Sequence, residues 1–173
     1  LGNFSFGDYF KKEAITWGWE YLTEVLGIDG EKLWVSVYEE DEEAYTAWRD
    51  EVKIPEERIR KLGAKTNFWP ANAPEDGPNG VCGPCSEIFF DYGEQYTCGD
   101  DCRKEACDCR RYSEVYNLVF TQFLRTGKNE LEPLTQKNID TGLGFERLVA
   151  VLAGEMSSFG TDLFMPIIRK VSE

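Results

Sequence analysis

The run YSEVYNLVFTQFLR, residues 112–125, is the longest strand candidate in the chain, so the fold has to supply a sheet for it. Shorter candidates are spread widely through the sequence. LGNFSFG opens the chain, with Phe4 and Phe6 on one side and Asn3 and Ser5 on the other. KLWVSVY, RIRKL and SEIFFDY follow, and PLTQKNID comes after a turn at Thr126-Gly127 and ends at Asp140. Helical patterns separate them. The first runs from a capping Asp8 to about Leu26, with Gly27 as its stop and Phe10, Ile15, Trp19, Leu22 and Leu26 as its apolar stripe. DEEAYTAWRDEV reads as an acidic surface helix, and a last helix begins near Thr161-Asp162. Strands far apart in sequence with helices between them predict an α+β fold with a mainly antiparallel sheet.

At 173 residues the chain is long enough for one domain with a real core. Nineteen basic against thirty-two acidic side chains give a net charge of −13, which argues against broad, unspecific nucleic-acid binding. No run of eighteen apolar residues is present to span a membrane. Histidine is absent, which excludes Ser-His-Asp and Cys-His catalysis and any metal site built on imidazole. Carboxylates, arginines, backbone amides and bound ions remain. They suit a reaction that needs positioning and charge neutralisation more than a protein base.

Two stretches point to such chemistry. Residues 63–85, GAKTNFWPANAPEDGPNGVCGPC, form a Gly-, Pro- and Asn-rich loop too long for a mere connector. In NIDTGLGFER a strand ends at Asp140, Gly142 and Gly144 turn the chain, and a helix begins. Glycines allow a ligand close to the backbone, and the first amides of a helix favour an anion. Arg147 would grip a phosphate, while Asp140 would hold a cation such as an α-ammonium group. An amino acid beside a nucleotide phosphate satisfies both. A strand–turn–helix with a capping Asp and a surface Arg satisfies the same pattern.

LGNFSFGDYF, TNFW, GPNGVCGPCSEIFFDYG, YNLVFTQF and NIDTGLGFERL together resemble, in this order, the catalytic core of the alanyl-tRNA synthetase family. DTGLGFER is similar to that family's third class II signature motif. The resemblance covers essentially the whole chain and implies a partial class II catalytic domain over residues 1–173, with a Cys-rich insert at about 93–111. It implies a cytoplasmic enzyme that uses ATP and Mg²⁺ to make alanyl-adenylate and then acylates tRNA(Ala). By that resemblance Asp140 binds the alanine ammonium, Gly142 leaves room beside it, and Trp69 and Val119 wall the pocket. Asn117 hydrogen-bonds the substrate, Gly144 and Arg147 face ATP, and Glu87 is a candidate Mg²⁺ ligand. A pocket this small would let glycine and serine through. The family answers with a separate editing domain built on His and Cys zinc ligands, which a chain without His does not hold. The chain begins at Leu1, in what looks like the second strand of the second signature motif. We therefore expect a piece truncated at both ends and inactive without the upstream phosphate-binding arginine, cut from a full-length protein that dimerises through a C-terminal region absent here.

Six cysteines stand at 82, 85, 98, 102, 107 and 109. Cys82 and Cys85 read as loop thiols. Cys98, Cys102, Cys107 and Cys109, spaced C-x3-C-x4-C-x-C, read either as ligands of a structural Zn²⁺ or as free surface thiols. A second functional reading follows from them: a cysteine-ligated zinc module for protein interaction on a synthetase-like scaffold.

Overall fold

The computed structural model describes residues 1–99, 102 and 109–173. Three long strands dominate it: β5 (Gly80–Asp91), β6 (Tyr112–Gly127) and β7 (Glu130–Leu143). They pair antiparallel, with β6 in the middle. The sheet order is β1-β7-β6-β5-β2-β3, with β1 (Phe4–Phe6), β2 (Leu33–Tyr38) and β3 (Ile59–Leu62) on the flanks and the short β4 (Phe68–Trp69) on β5. Among the described residues only the β2–β3 pair is parallel. The result is the mainly antiparallel α+β arrangement expected from the sequence.

One face of the sheet is apolar because alternate residues point the same way. Val35, Val37, Ile88, Leu118, Phe120 and Ile139 are buried there. Helix α1 (Lys11–Glu20, continued as a π-helical turn over Tyr21–Val25) adds Ala14, Ile15 and Leu22 to this core. Helix α2 (Glu42–Thr46, continued over Ala47–Glu51) adds Ala44, Ala47 and Trp48. Several polar groups inside the core are bonded to one another. Trp48 donates its indole N–H to Ser86 Oγ at 2.8 Å, and Ser86 Oγ donates to the Ser36 carbonyl at 2.7 Å. The buried Lys11 ammonium lies 2.7 Å from Asp41 and 3.1 Å from Glu43. No helix among the described residues is long and apolar enough to cross a membrane.

Ser5 of β1 is buried, whereas Phe4 and Phe6 are 57% and 79% exposed, because Ser5 pairs with the core-facing Ile139. Several expectations need correction. Asp8 does not cap α1. The cap is Phe10, whose N–H is accepted by Glu13 at 3.3 Å. Gly27, with φ +69, does stop the helix. The acidic helix α2 is not merely a surface element, since Trp48 is fully buried. Residues 63–85 are not a structureless loop: they contain the short helix α3 (Ala64–Asn67), β4 and the start of β5. Thus Cys82 and Cys85 are buried strand residues. Strand β6 continues through Gly127, and β7 runs past Asp140 to Leu143, so Gly142 lies within the ladder. Helix α4 (Phe145–Ala153) then starts after Gly144, and α5 spans Met165–Val171 rather than starting near 161.

Gly83 sits where the β5–β6 register shifts between Cys82 and Cys85. A Cβ there would come 1.9 Å from the Phe120 carbonyl oxygen, which leaves the backbone no room. Gly83→Ala is therefore expected to cost about 3 kcal/mol in chemical denaturation, at the upper end of overpacking penalties. An unchanged denaturation midpoint would contradict this reading of the strand contact.

Candidate active site

The sheet face turned away from α1 and α2 carries the candidate site. Residues directly opposed in a ladder share a face, so register decides which side chains meet. Ser36 opposes Glu87, Glu87 opposes Asn117, and Asn117 opposes Gly142, which forms one row across four strands. The next row reads Cys85, Val119, Asp140 and Phe4. Adjacent rows are two residues apart, roughly 7 Å along the strand.

A cavity of about 480 Å³ opens over the first row. Trp69, Glu87 and Asn117 line it, together with Arg60, Lys65 and Glu114. Trp69 is brought there by β4, which pairs with Gly83 and Pro84 of β5. Asn67, fully buried, fixes that segment by donating from Nδ2 to Ser36 Oγ at 2.8 Å and to the Cys85 carbonyl at 3.0 Å. Asn117 Oδ1 is buried and has no hydrogen-bond partner among the described residues. A buried acceptor left in this state costs about 1–3 kcal/mol, so the cavity contains an unmet demand for a donor.

Glu87 accepts from Ser36 Oγ at 3.3 Å. Burial, and then the neighbouring Glu114 charge, push its carboxyl from the ordinary 4.5 up to about 7, against the opposing effects of Ser36 and Arg147. Arg147, in the first turn of α4, donates from Nη1 to the Glu114 carbonyl at 3.1 Å and its carboxylate at 3.2 Å. Gly144, the N-cap, brings no side-chain acceptor to the helix start, and its own N–H bonds to the Val115 carbonyl at 3.1 Å.

The remaining predicted residues stand beside the cavity rather than in its wall. Val119 is buried between Cys85 and Asp140, and Asp140 is exposed. Neither Asp140 nor Arg147 lines this cavity; they flank the Asn117–Gly142 row from different sides. A Cβ built on Gly142 meets nothing within 4 Å, so the sheet surface between Asp140 and Asn117 is open.

Sequence reasoning missed Arg60, Lys65, Asn67 and Glu114 as site residues. Arg60 is held between two aromatic rings, its guanidinium 5.0 Å from the Trp34 centroid and 4.4 Å from that of Tyr112. Alternation in RIRKL and YSEVYN marks which residues share a face, but only the strand pairing brings those faces together. A larger cavity, about 930 Å³, lies beside Lys11 and the acidic residues 39–43 and is lined by none of the predicted residues. Its wall is dominated by carboxylates, a poor match for an anionic nucleotide, so the smaller cavity is the better candidate. The Cys85 and Cys82 thiols are pushed up by burial, which leaves them protonated and unsuited to nucleophilic work. Among the four insert cysteines, Cys98, Cys102 and Cys109 have their sulfurs within 4.8 Å of one another; Cys107 lies outside the described residues.

The site is thus a cavity on a mainly antiparallel sheet, lined by Arg60, Lys65, Glu87, Glu114 and Asn117, with the exposed Asp140 and the start of α4 beside it. The model of the family "tRNA synthetases class II (A)" matches residues 1–173, and the chain belongs to that family. Within it, the chain is similar to alanine–tRNA ligases. It is 53% identical to that of Petrotoga mobilis over 99% of its length, and 52% identical to those of Thermus thermophilus and Thermotoga maritima over 99% and 100%. It spans 19–20% of the length of these relatives.

The Glu87 shift sets a pH dependence. The folded chain holds a proton that the unfolded chain releases between 4.5 and about 7. This stabilising contribution is complete at acidic pH and lost as pH rises through the folded value. Glu87→Gln stays neutral throughout. Melting temperatures measured from about pH 4 to pH 8 should therefore show the unsubstituted chain falling relative to Glu87→Gln as pH rises. A constant difference between the two would contradict the assignment.

Proposed function

We propose that the chain is the amino-acid-activating part of an alanine–tRNA ligase. In this reading it binds alanine and ATP, forms alanyl-adenylate, and presents it to the 3′ end of tRNA(Ala). The observation that carries the proposal is the row Glu87–Asn117–Gly142, with the Asp140 carboxylate one row away and Arg147 docked on Glu114 at the other side.

Alanine fits this surface by charge and size. Asp140 takes the α-ammonium, and Asn117 Oδ1 accepts one of its N–H groups, meeting the demand left by its unpaired state. Gly142 provides the floor where any side chain would intrude. Trp69 and Val119 bound the methyl group. The alanine carboxylate is ionised at neutral pH and needs no protein base. One of its oxygens attacks the α-phosphorus, the bond to the β-phosphate oxygen breaks, and pyrophosphate leaves. In the second step a tRNA ribose hydroxyl attacks the acyl carbon, and AMP departs.

The residues that face ATP supply positive charge. Arg147 exchanges the Glu114 carboxylate for a phosphate, and Arg60, already held between two rings, offers a second guanidinium. Glu87 and Glu114 fit a Mg²⁺ ion, because the Glu114 charge adds to the burial that disfavours an ionised Glu87, and a divalent cation relieves that repulsion. When bound, that ion neutralises the triphosphate. The chain is about a fifth of its relatives' length, and tRNA acylation is assigned to the whole protein.

Calorimetric titration with 5′-O-(N-alanyl)sulfamoyladenosine, a non-hydrolysable adenylate mimic, tests the reading. Asn117→Ala should weaken binding roughly tenfold to a hundredfold, the loss of one buried hydrogen bond. Gly142→Val should abolish binding while leaving the melting temperature within about 2 °C, because the new side chain enters open space. A well-folded chain that binds no mimic would favour the interaction-module alternative.

A further inference from the structure

The Cys-rich insert takes no part in the chemistry above, yet its cysteines converge. Gly99, with φ +139, adopts a backbone conformation that side chains resist, and the Cys102 N–H closes the turn onto the Gly99 carbonyl at 3.1 Å. Cys98, next to Gly99, and Cys109 lie close to Cys102. The Cys102 and Cys109 sulfurs are 3.2 Å apart, and all three sulfurs lie within 4.8 Å of one another. Tetrahedral zinc with Zn–S bonds of about 2.3 Å holds its sulfurs roughly 3.8 Å apart, within this range. Cys102 is 2% exposed but belongs to neither apolar core cluster. Among the described residues it therefore stands apart from both apolar clusters, with its sulfur against those of Cys98 and Cys109.

The position of the cluster gives it a consequence. The insert joins β5 to β6, and its base is clamped where Arg111 donates to both Asp91 carboxylate oxygens at 2.7 Å. The Tyr92 N–H adds a bond to the Arg111 carbonyl at 2.8 Å. Cys109 lies two residues before Arg111, and the next residue, Tyr112, is in the wall of the candidate cavity under Arg60.

We propose that Cys98, Cys102 and Cys109 bind one Zn²⁺ ion that staples the β5–β6 connection beside the cavity wall at Tyr112. The thiols bind as thiolates, releasing their protons to solvent, and the three sulfurs leave one coordination position for a further donor. The site is structural and independent of the substrate assignments.

Elemental analysis of the chain, purified under reducing conditions without added metal, should find one zinc per chain. Cys102→Ser should lower that content at least tenfold. Because a change at the buried Cys102 could disturb folding, the exposed Cys98→Ser provides the second variant and should show the same loss with an unchanged circular dichroism spectrum. After zinc is stripped with a chelator, Co²⁺ should produce thiolate-to-cobalt charge-transfer absorption in the unsubstituted chain and little in either variant. The proposal is overturned by a metal-free chain that gives no such absorption, by zinc that survives both substitutions, or by mass spectrometry showing a Cys102–Cys109 disulfide in the freshly reduced chain.

Discussion

The pairing register of β5, β6 and β7 is the constraint on which everything else in the structure depends. Side chains alternate faces along a strand, so slipping one strand by a single residue would exchange its core and solvent sets. In the observed register Ile88, Leu118 and Ile139 face the helices, while Glu87, Asn117 and Gly142 face the open side. The core selects the register, and the register assembles the site. Hydrophobic burial beneath the sheet therefore positions polar chemistry on top of it.

The electrostatics of the site make sense against this background. A chain with a net charge of −13 is an unpromising receptor for triphosphate. Locally, however, Arg60, Lys65 and Arg147 gather around two carboxylates, one of which is held near neutrality by burial. Glu114 holds the Arg147 guanidinium at 3.2 Å, and Arg60 lies between the Trp34 and Tyr112 rings. Asp140 stands apart from that cluster, one row away, where a cationic group is not forced to compete with the arginines. Separate sites for opposite charges on one rigid sheet match a ligand that carries both.

The long strands were legible because period-two alternation in KLWVSVY and YSEVYNLVFTQFLR is strong and local. The helix stop at Gly27 was legible because a positive φ is a property of the residue itself. Errors arose where pairing overruled a local signal. Gly142 reads as a turn, yet the ladder continues through it because Asn117 is there to pair with it. The alternation in LGNFSFG separates Phe4 and Phe6 from Ser5 without choosing the buried side, and Ser5 faces inward because its partner is Ile139. Asp8 reads as a cap, but its N–H is taken up by Ser5 Oγ at 3.3 Å and the helix starts later. In the site, Trp69, Asn117, Glu87, Asp140 and Arg147 were named from motif resemblance. Arg60 and Glu114 could not be, because they meet only after β3 and β6 have found their places in the sheet.

The central claim is that the carboxylate at position 140 recognises an ammonium group on a ligand seated over the Asn117–Gly142 row. The most direct measurement is a thermodynamic cycle comparing the alanyl-sulfamoyl adenosine with its propionyl counterpart, which lacks only the amine, on the unsubstituted chain and on Asp140→Ala. The account predicts that removing the amine weakens binding at least tenfold in the first protein and has little effect in the second. Equal losses in both proteins would place the ammonium elsewhere and contradict the account.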